Sequence, residues 1–188
     1  PKRPTIRAVV IKKDQLITGG EKVNIDPKAK NIEGRDIGIP KALVIERHRG
    51  TGNMGIGFVK GLGIKRGALA TTIAHDSHNL IALGMTDDEI LLAIETLRRS
   101  RGGMAVIRGR EILAHLPLPV GGLISSLSLE EVARRSRELE EAVKSLGVTL
   151  PHPFMYMSFL ALPVIPELRI TDRGLFDVTK RKFISLFD

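Results

Sequence analysis

Hydrophobic residues recur along this chain with two periods, and the switches between them mark the expected elements. Residues 5–11 (TIRAVVI) and 42–47 (ALVIER) are dense in β-branched side chains and read as strands. The stretch between them is polar, with turn signals at Gly19–Gly20 and Asn31–Gly34. Residues 68–74 (ALATTIA) and 80–84 (LIALG) read as two buried strands flanking a polar tip, His75–Asn79. Between Gly50 and Gly67 glycine recurs seven times. Helix is disfavoured there because each interior glycine costs about 1 kcal/mol relative to alanine. A close-packed loop with permissive backbone angles is the expectation.

Two helices are well signalled. Thr86 is placed as an N-cap with Glu89 three residues later, and Met85 and Ile90 are spaced as a hydrophobic staple. Ile90, Leu91, Ile94 and Leu97 follow the helical period, and Gly102 supplies the stop. The second helix repeats the grammar with Ser128 and Glu131, a stripe of Leu129, Val132, Leu139, Val143 and Leu146, and Gly147 at its end. Between them, MAVIRGREILAHL reads as a hairpin turning near Gly109. Phe154–Leu162 is continuously apolar, is broken by Pro163–Pro166, and is grouped with the extended segments. The tail 174–187 alternates apolar and charged residues.

This order predicts an α/β (α+β) fold, with a mixed or largely antiparallel sheet and two capped helices packed on it. Residues 42–188 read as one domain. Residues 1–41 read as a strand-rich N-terminal segment that could belong to a neighbouring sheet. The chain opens at Pro1, without an initiator methionine, and runs straight into a strand-like segment. It therefore reads as a piece of something longer, or as a trimmed chain.

Composition narrows the chemistry. The 188 residues contain no cysteine, which removes disulfides, thiolate metal sites and a cysteine nucleophile, and fits a cytoplasmic location. No apolar run is long enough to span a membrane, and no signal-peptide pattern opens the chain. Of the formal net charge of +8, residues 1–66 carry 15 basic against 6 acidic side chains, whereas residues 67–188 carry 14 against 15. A basic half can attract nucleic acid. Phe58 is its only aromatic residue, too few for single-strand stacking, so a solvated basic surface or a face that docks on an acidic partner domain is the preferred reading, and nucleic acid is not expected as a partner.

The motif Gly50-x-Gly52-x-x-Gly55 has the spacing of a dinucleotide fingerprint, but the next residues, IGFVKGLG, are a poor helix start, and that motif must open a helix. No Gly-Lys-Ser/Thr follows to make a Walker loop. The polar tip His75-Asp76-Ser77-His78-Asn79 is the densest chemistry in the chain. Two imidazoles and a carboxylate can ligate a metal, act as acid–base groups, or close a loop through their own hydrogen bonds. His48, just before the glycine run, can converge on the same place. His115 and His152, bordered by proline or apolar residues, read as structural.

A long series of blocks resembles the C-terminal region of bacterial and archaeal adenine deaminases of the amidohydrolase superfamily. These are Glu46-Arg47-His48, Thr51-Gly52-Asn53, Gly57-Phe58-Val59, Ala74 through Asn79, Leu116 through Pro119, Phe159 through Pro166, and Thr171 through Val178. The resemblance implies a part in hydrolysing adenine to hypoxanthine and ammonia. It further implies a manganese or iron pair held by a His-x-His motif in a TIM-type barrel. No His-x-His occurs here, and 188 residues fall short of the ~250 typical of such a barrel. No metal ligand is therefore assigned in this chain, no cofactor is expected in it alone, and it is expected to be inactive without the barrel segment. The implied partners are that segment and adenine, with homo-oligomerisation left open. The resemblance makes His75, Asp76 and His78 candidate catalytic residues in a supporting role. His48, Gly52, Ser77 and Asn79 become candidate substrate-binding residues. The competing readings are a free-standing purine- or anion-binding module, and a small metal hydrolase using His75, Asp76 and His78.

Overall fold

The computed structural model describes residues 4–29 and 31–188; Pro1–Arg3 and Lys30, all within the segment 1–41, lie outside it. Eight strands form one mixed sheet: β1 (Thr5–Ile11), β2 (Thr18–Asn24), β3 (Lys41–Ile45), β4 (Met54–Lys60), β5 (Ala68–Thr71), β6 (Leu80–Gly84), β7 (Gly103–Arg108) and β8 (Glu111–Pro117). Their spatial order is β2-β1-β4-β3-β6-β5-β7-β8. β1 runs parallel to β4, and every other neighbouring pair is antiparallel. The N-terminal segment thus contributes β1 and β2 to this same sheet. Three short strands, β9 (Leu168–Thr171), β10 (Gly174–Asp177) and β11 (Lys182–Phe183), make a second, antiparallel sheet.

Strand alternation sends side chains to two different cores. On one face, Ala68, Ala70, Leu80, Ala82, Ala105 and Ile107 meet α2 (Asp87–Arg99) through Ile90, Ala93 and Leu97. The many alanines let this helix lie close to β5, β6 and β7. On the other face, Leu69, Ile81, Leu83 and Val106 join Leu139 and Val143 of α3 (Leu129–Ser145) and Met157 and Leu160 of α4 (Pro153–Leu160). The same core takes in Leu168, Ile170 and Leu175 of the small sheet. A third cluster, with Ile6, Ala8 and Phe58 against Ile25 and Ile39, closes the β1–β4 region beside the one-turn α1 (Gly34–Ile37).

Both expected caps form, with a different division of labour from a reciprocal box. Thr86 Oγ1 accepts the Glu89 N–H, and Ser128 Oγ accepts the Glu131 N–H. The Glu89 carboxylate instead takes the Thr86 hydroxyl and the Gly109 N–H, tying α2 to the β7–β8 turn. The Glu131 carboxylate pairs with Arg134 and Arg135 on its own helix.

Three expectations change. The polar, glycine-punctuated stretch at 18–24 is the edge strand β2, paired with β1 along its whole length. The glycine run is not simply a loop: Met54–Lys60 is β4, an inner strand between β1 and β3. The apolar stretch read as extended is largely helical, because Pro153 opens α4 and Tyr156, Met157, Ser158 and Leu160 are all buried. A helix covered on most sides loses the alternation that would announce it.

Candidate functional site

One end of the large sheet, where β3 and β5 finish and β4 and β6 begin, gathers the polar loops. The β3–β4 loop is closed by the Glu46 N–H on the Asn53 carbonyl at 3.0 Å. Inside it the Glu46 carboxylate accepts the N–H groups of Thr51, Arg49 and His48 and the Thr51 hydroxyl, at 2.5–3.1 Å. These donors, led by the Thr51 N–H, hold the Glu46 pKa down to about 2. A folded-state pKa below the ordinary carboxylate value means that this brace is fully present above that ordinary value. It is lost as the pH falls through about 2. In a Glu46→Ala variant the amides of His48, Arg49 and Thr51 should exchange several times faster at neutral pH. Unchanged exchange would show that the loop holds its shape without the carboxylate.

The β5–β6 loop carries the polar tip. His78 adopts a left-handed conformation with φ 49°, and its N–H bonds the Ala74 carbonyl at 2.6 Å. The His75 N–H donates to Ser158 of α4, and the His75 ring lies 4.7 Å from that of Phe159. The rings of His75 and His78 are 6.3 Å apart, and His78 Nδ1 is buried without a partner. Asp76 and Ser77 are exposed at the tip, whereas Asn79 is buried. His48 Nε2 lies 2.8 Å from the Ser77 carbonyl and 3.2 Å from that of His78. Both oxygens only accept, so Nε2 carries the proton and a neutral ring leaves Nδ1 as an acceptor.

Arg47 joins the loops. Its Nε donates to the His78 carbonyl at 2.6 Å and its Nη2 to the Gly121 carbonyl at 2.8 Å. A side chain at Gly122 would collide with the guanidinium, its Cβ lying 2.7 Å from both terminal nitrogens. Burial lowers the pKa of Arg47. Thr72 Oγ1 donates to the Gly122 carbonyl at 2.6 Å and anchors the same turn from below.

Between these loops and the β9–β10 turn opens a cavity of about 830 Å³. His48, Ser77 and Asn79 line it. Gly52, with φ 75°, shapes the loop between the lining residues Thr51 and Asn53. Asp172 and Arg173 were missed as site residues; the Asn53 amide bonds Asp172 at 3.2 Å across 119 positions of sequence, a proximity without a local signal. Arg47 was missed for the same reason. His75 and His78 stand behind this wall rather than in it. Among the described residues, no three His, Asp, Glu or Cys side chains converge to hold a metal ion. His75, Asp76 and His78 therefore do not make the ligand set that a small metal hydrolase needs. Gly50 and Gly52 lead into strand β4 rather than a helix, so the dinucleotide fingerprint lacks its phosphate-binding helix N-terminus.

These features define an α/β domain whose polar loops gather around an open cavity at one end of the large sheet. A sequence model of the adenine deaminase C-terminal domain matches residues 15–182, and the chain belongs to that family. It is 44% identical to an adenine deaminase of Desulfatibacillum aliphaticivorans over 97% of its own length, and 48% identical to one of Moorella thermoacetica over 81%. Adenine deaminase 2 of Carboxydothermus hydrogenoformans is 50% identical over 75%. The chain spans only 32%, 26% and 25% of these three relatives. No helix among the described residues is long and apolar enough to cross a membrane.

Proposed function

We propose that this chain is the part of a cytoplasmic adenine deaminase that closes and lines the purine site, while the reacting metals are held by a barrel segment elsewhere in the protein. The complete enzyme converts adenine and water to hypoxanthine and ammonia, with a manganese or iron pair supplying the activated water. Among the described residues no cluster fits such a pair, so their work is recognition and shaping of the site. The observation that carries the reading is the convergence of His48, Ser77, Asn79 and Asn53 on one open cavity. Adenine presents ring nitrogens that accept hydrogen bonds and an amine that donates them. An amide such as Asn79 or Asn53 can serve both, and Nδ1 of a neutral His48 ring can accept. His75 and His78 support this wall by fixing the loop whose carbonyls orient His48, and Asp76 stands exposed at the tip of that loop.

The free-standing anion-binding alternative is weaker, because Glu46 and Asp172 in the cavity wall offset Arg49 and Arg173. In the full-length protein, His48→Ala and Asn79→Ala should each lower kcat/KM for adenine at least about tenfold, a loss of about 1.4 kcal/mol, with unchanged unfolding midpoints. Ammonia release reports the rate. Wild-type kinetics in both variants would sink the proposal.

A further inference from the structure

Polar residues line the cavity, and exposed apolar side chains stand on neighbouring loops. On one side, Met54 follows directly after the lining residue Asn53 and is 51% exposed. On the other, the turn that Arg47 holds against the His75–Asn79 loop presents Val120, Leu123 and Ile124 to solvent. Leu129, in the first turn of α3, is 79% exposed. Scattered exposed apolar residues need no explanation. Val120, Leu123 and Ile124 share one short turn that Arg47 ties to the loop beside the cavity, and grouped exposure of this kind suits a surface that a partner covers.

The turn that displays them is not a loose loop. The Val120 N–H bonds the Ile124 carbonyl, the N–H groups of Leu123 and Ile124 return to the Val120 carbonyl, and Thr72 and Arg47 hold Gly122 and Gly121 from beneath. A surface ordered in advance loses little entropy when it docks. The basic excess, by contrast, sits largely elsewhere. Lys12 and Lys13 follow β1, and Lys60, Lys65 and Arg66 lie at and beyond the end of β4. Because β1 and β4 run parallel, both groups occupy the opposite end of the sheet from the cavity.

We infer that the loop end docks face-on against the larger remaining segment of the same polypeptide, with Met54, Val120, Leu123, Ile124 and Leu129 as the apolar seal around the shared site. This inference rests on the proposed function. The occupant is identified by two facts. The relatives carry at least two thirds of their length outside the region that this chain matches. Among the described residues no ligand set for the metals of the proposed reaction converges on the cavity, so the segment that holds them faces it. Docking is therefore apolar, not through the basic face that charge asymmetry alone had suggested.

The absence of cysteine from these 188 residues supplies the probe. Ile124→Cys, Leu129→Cys and, as an exposed reference further along α3, Glu141→Cys are placed one at a time in the full-length protein. Labelling by a water-soluble maleimide is followed at each site by mass spectrometry. The first two should react at least tenfold more slowly than the third, at every protein concentration. Equal rates would overturn the inference. Protection that grows with protein concentration would also overturn it, in favour of a second copy of the protein as the occupant. The measurement needs no substrate, so protection combined with wild-type kinetics in the His48 and Asn79 variants would leave the docking standing and remove only the purine-site reading.

Discussion

Replacing Arg169 by methionine lowers the unfolding free energy by about 3–5 kcal/mol, the loss expected when several buried carbonyls are left without their charged donor. Arg169 lies in β9 with 1% of its surface exposed, and among the described residues no carboxylate pairs with it. Its guanidinium is held by carbonyls alone: Ile165 at 2.7 Å from Nε, Phe159 at 3.0 Å from Nη1, and Leu16 and Pro166 at 2.6 and 3.2 Å from Nη2. Burial lowers its pKa to about 10, which still leaves it charged at neutral pH. One side chain thus gathers the β1–β2 loop, the end of α4 and the approach to β9. Methionine fills much of the volume but leaves four carbonyls without these donors, and each bond to a charged group is worth about 1.5–3 kcal/mol. Relief of the buried charge offsets part of that sum. Lysine should recover less than half, since an ammonium cannot spread its donors across a plane. Urea denaturation measures the change, and a loss below about 1 kcal/mol would show that the carbonyls find other partners.

The second large effect is expected at Gly55. A Cβ there would stand 1.7 Å from the Thr171 carbonyl oxygen and 2.9 Å from the Gly174 nitrogen. Both are backbone atoms, so no rotamer change relieves the overlap and the β9–β10 turn must move off β4. Gly55→Ala should destabilise the fold by about 3 kcal/mol, the upper end for overpacking. It should also reduce kcat/KM in the full-length protein, because the displaced turn carries Asp172 and Arg173 into the cavity wall. Gly57→Ala meets the side chain of Ile170, whose tip can rotate away, and should cost less on both counts. Equal, small effects at the two positions would show that the small sheet rides loosely on the large one.

What was legible from the amino-acid order had a local cause. The helices α2 and α3 announce themselves through apolar spacing and through Thr86 and Ser128, whose hydroxyls meet an N–H three residues away. The β7–β8 hairpin is marked by Gly109, with φ 59° at its turn. The polar tip 75–79 stands out between two apolar runs, and the family resemblance pointed to the same loop. Where a contact spans three or four residues, the chain itself brings the partners together.

Tertiary structure decided the rest. β4 is a strand despite its glycines because β1 and β3 pair with it, and those glycines let β9 lie against its face. α4 is a helix because neighbouring elements, β5 and β9 among them, bury an apolar stretch whose period is silent. The cavity exists because Asn53 meets Asp172 and Arg47 meets Gly121, pairs separated by 119 and 74 positions. Such contacts leave no trace in local periodicity, since they form only once the sheet has brought distant loops to one end.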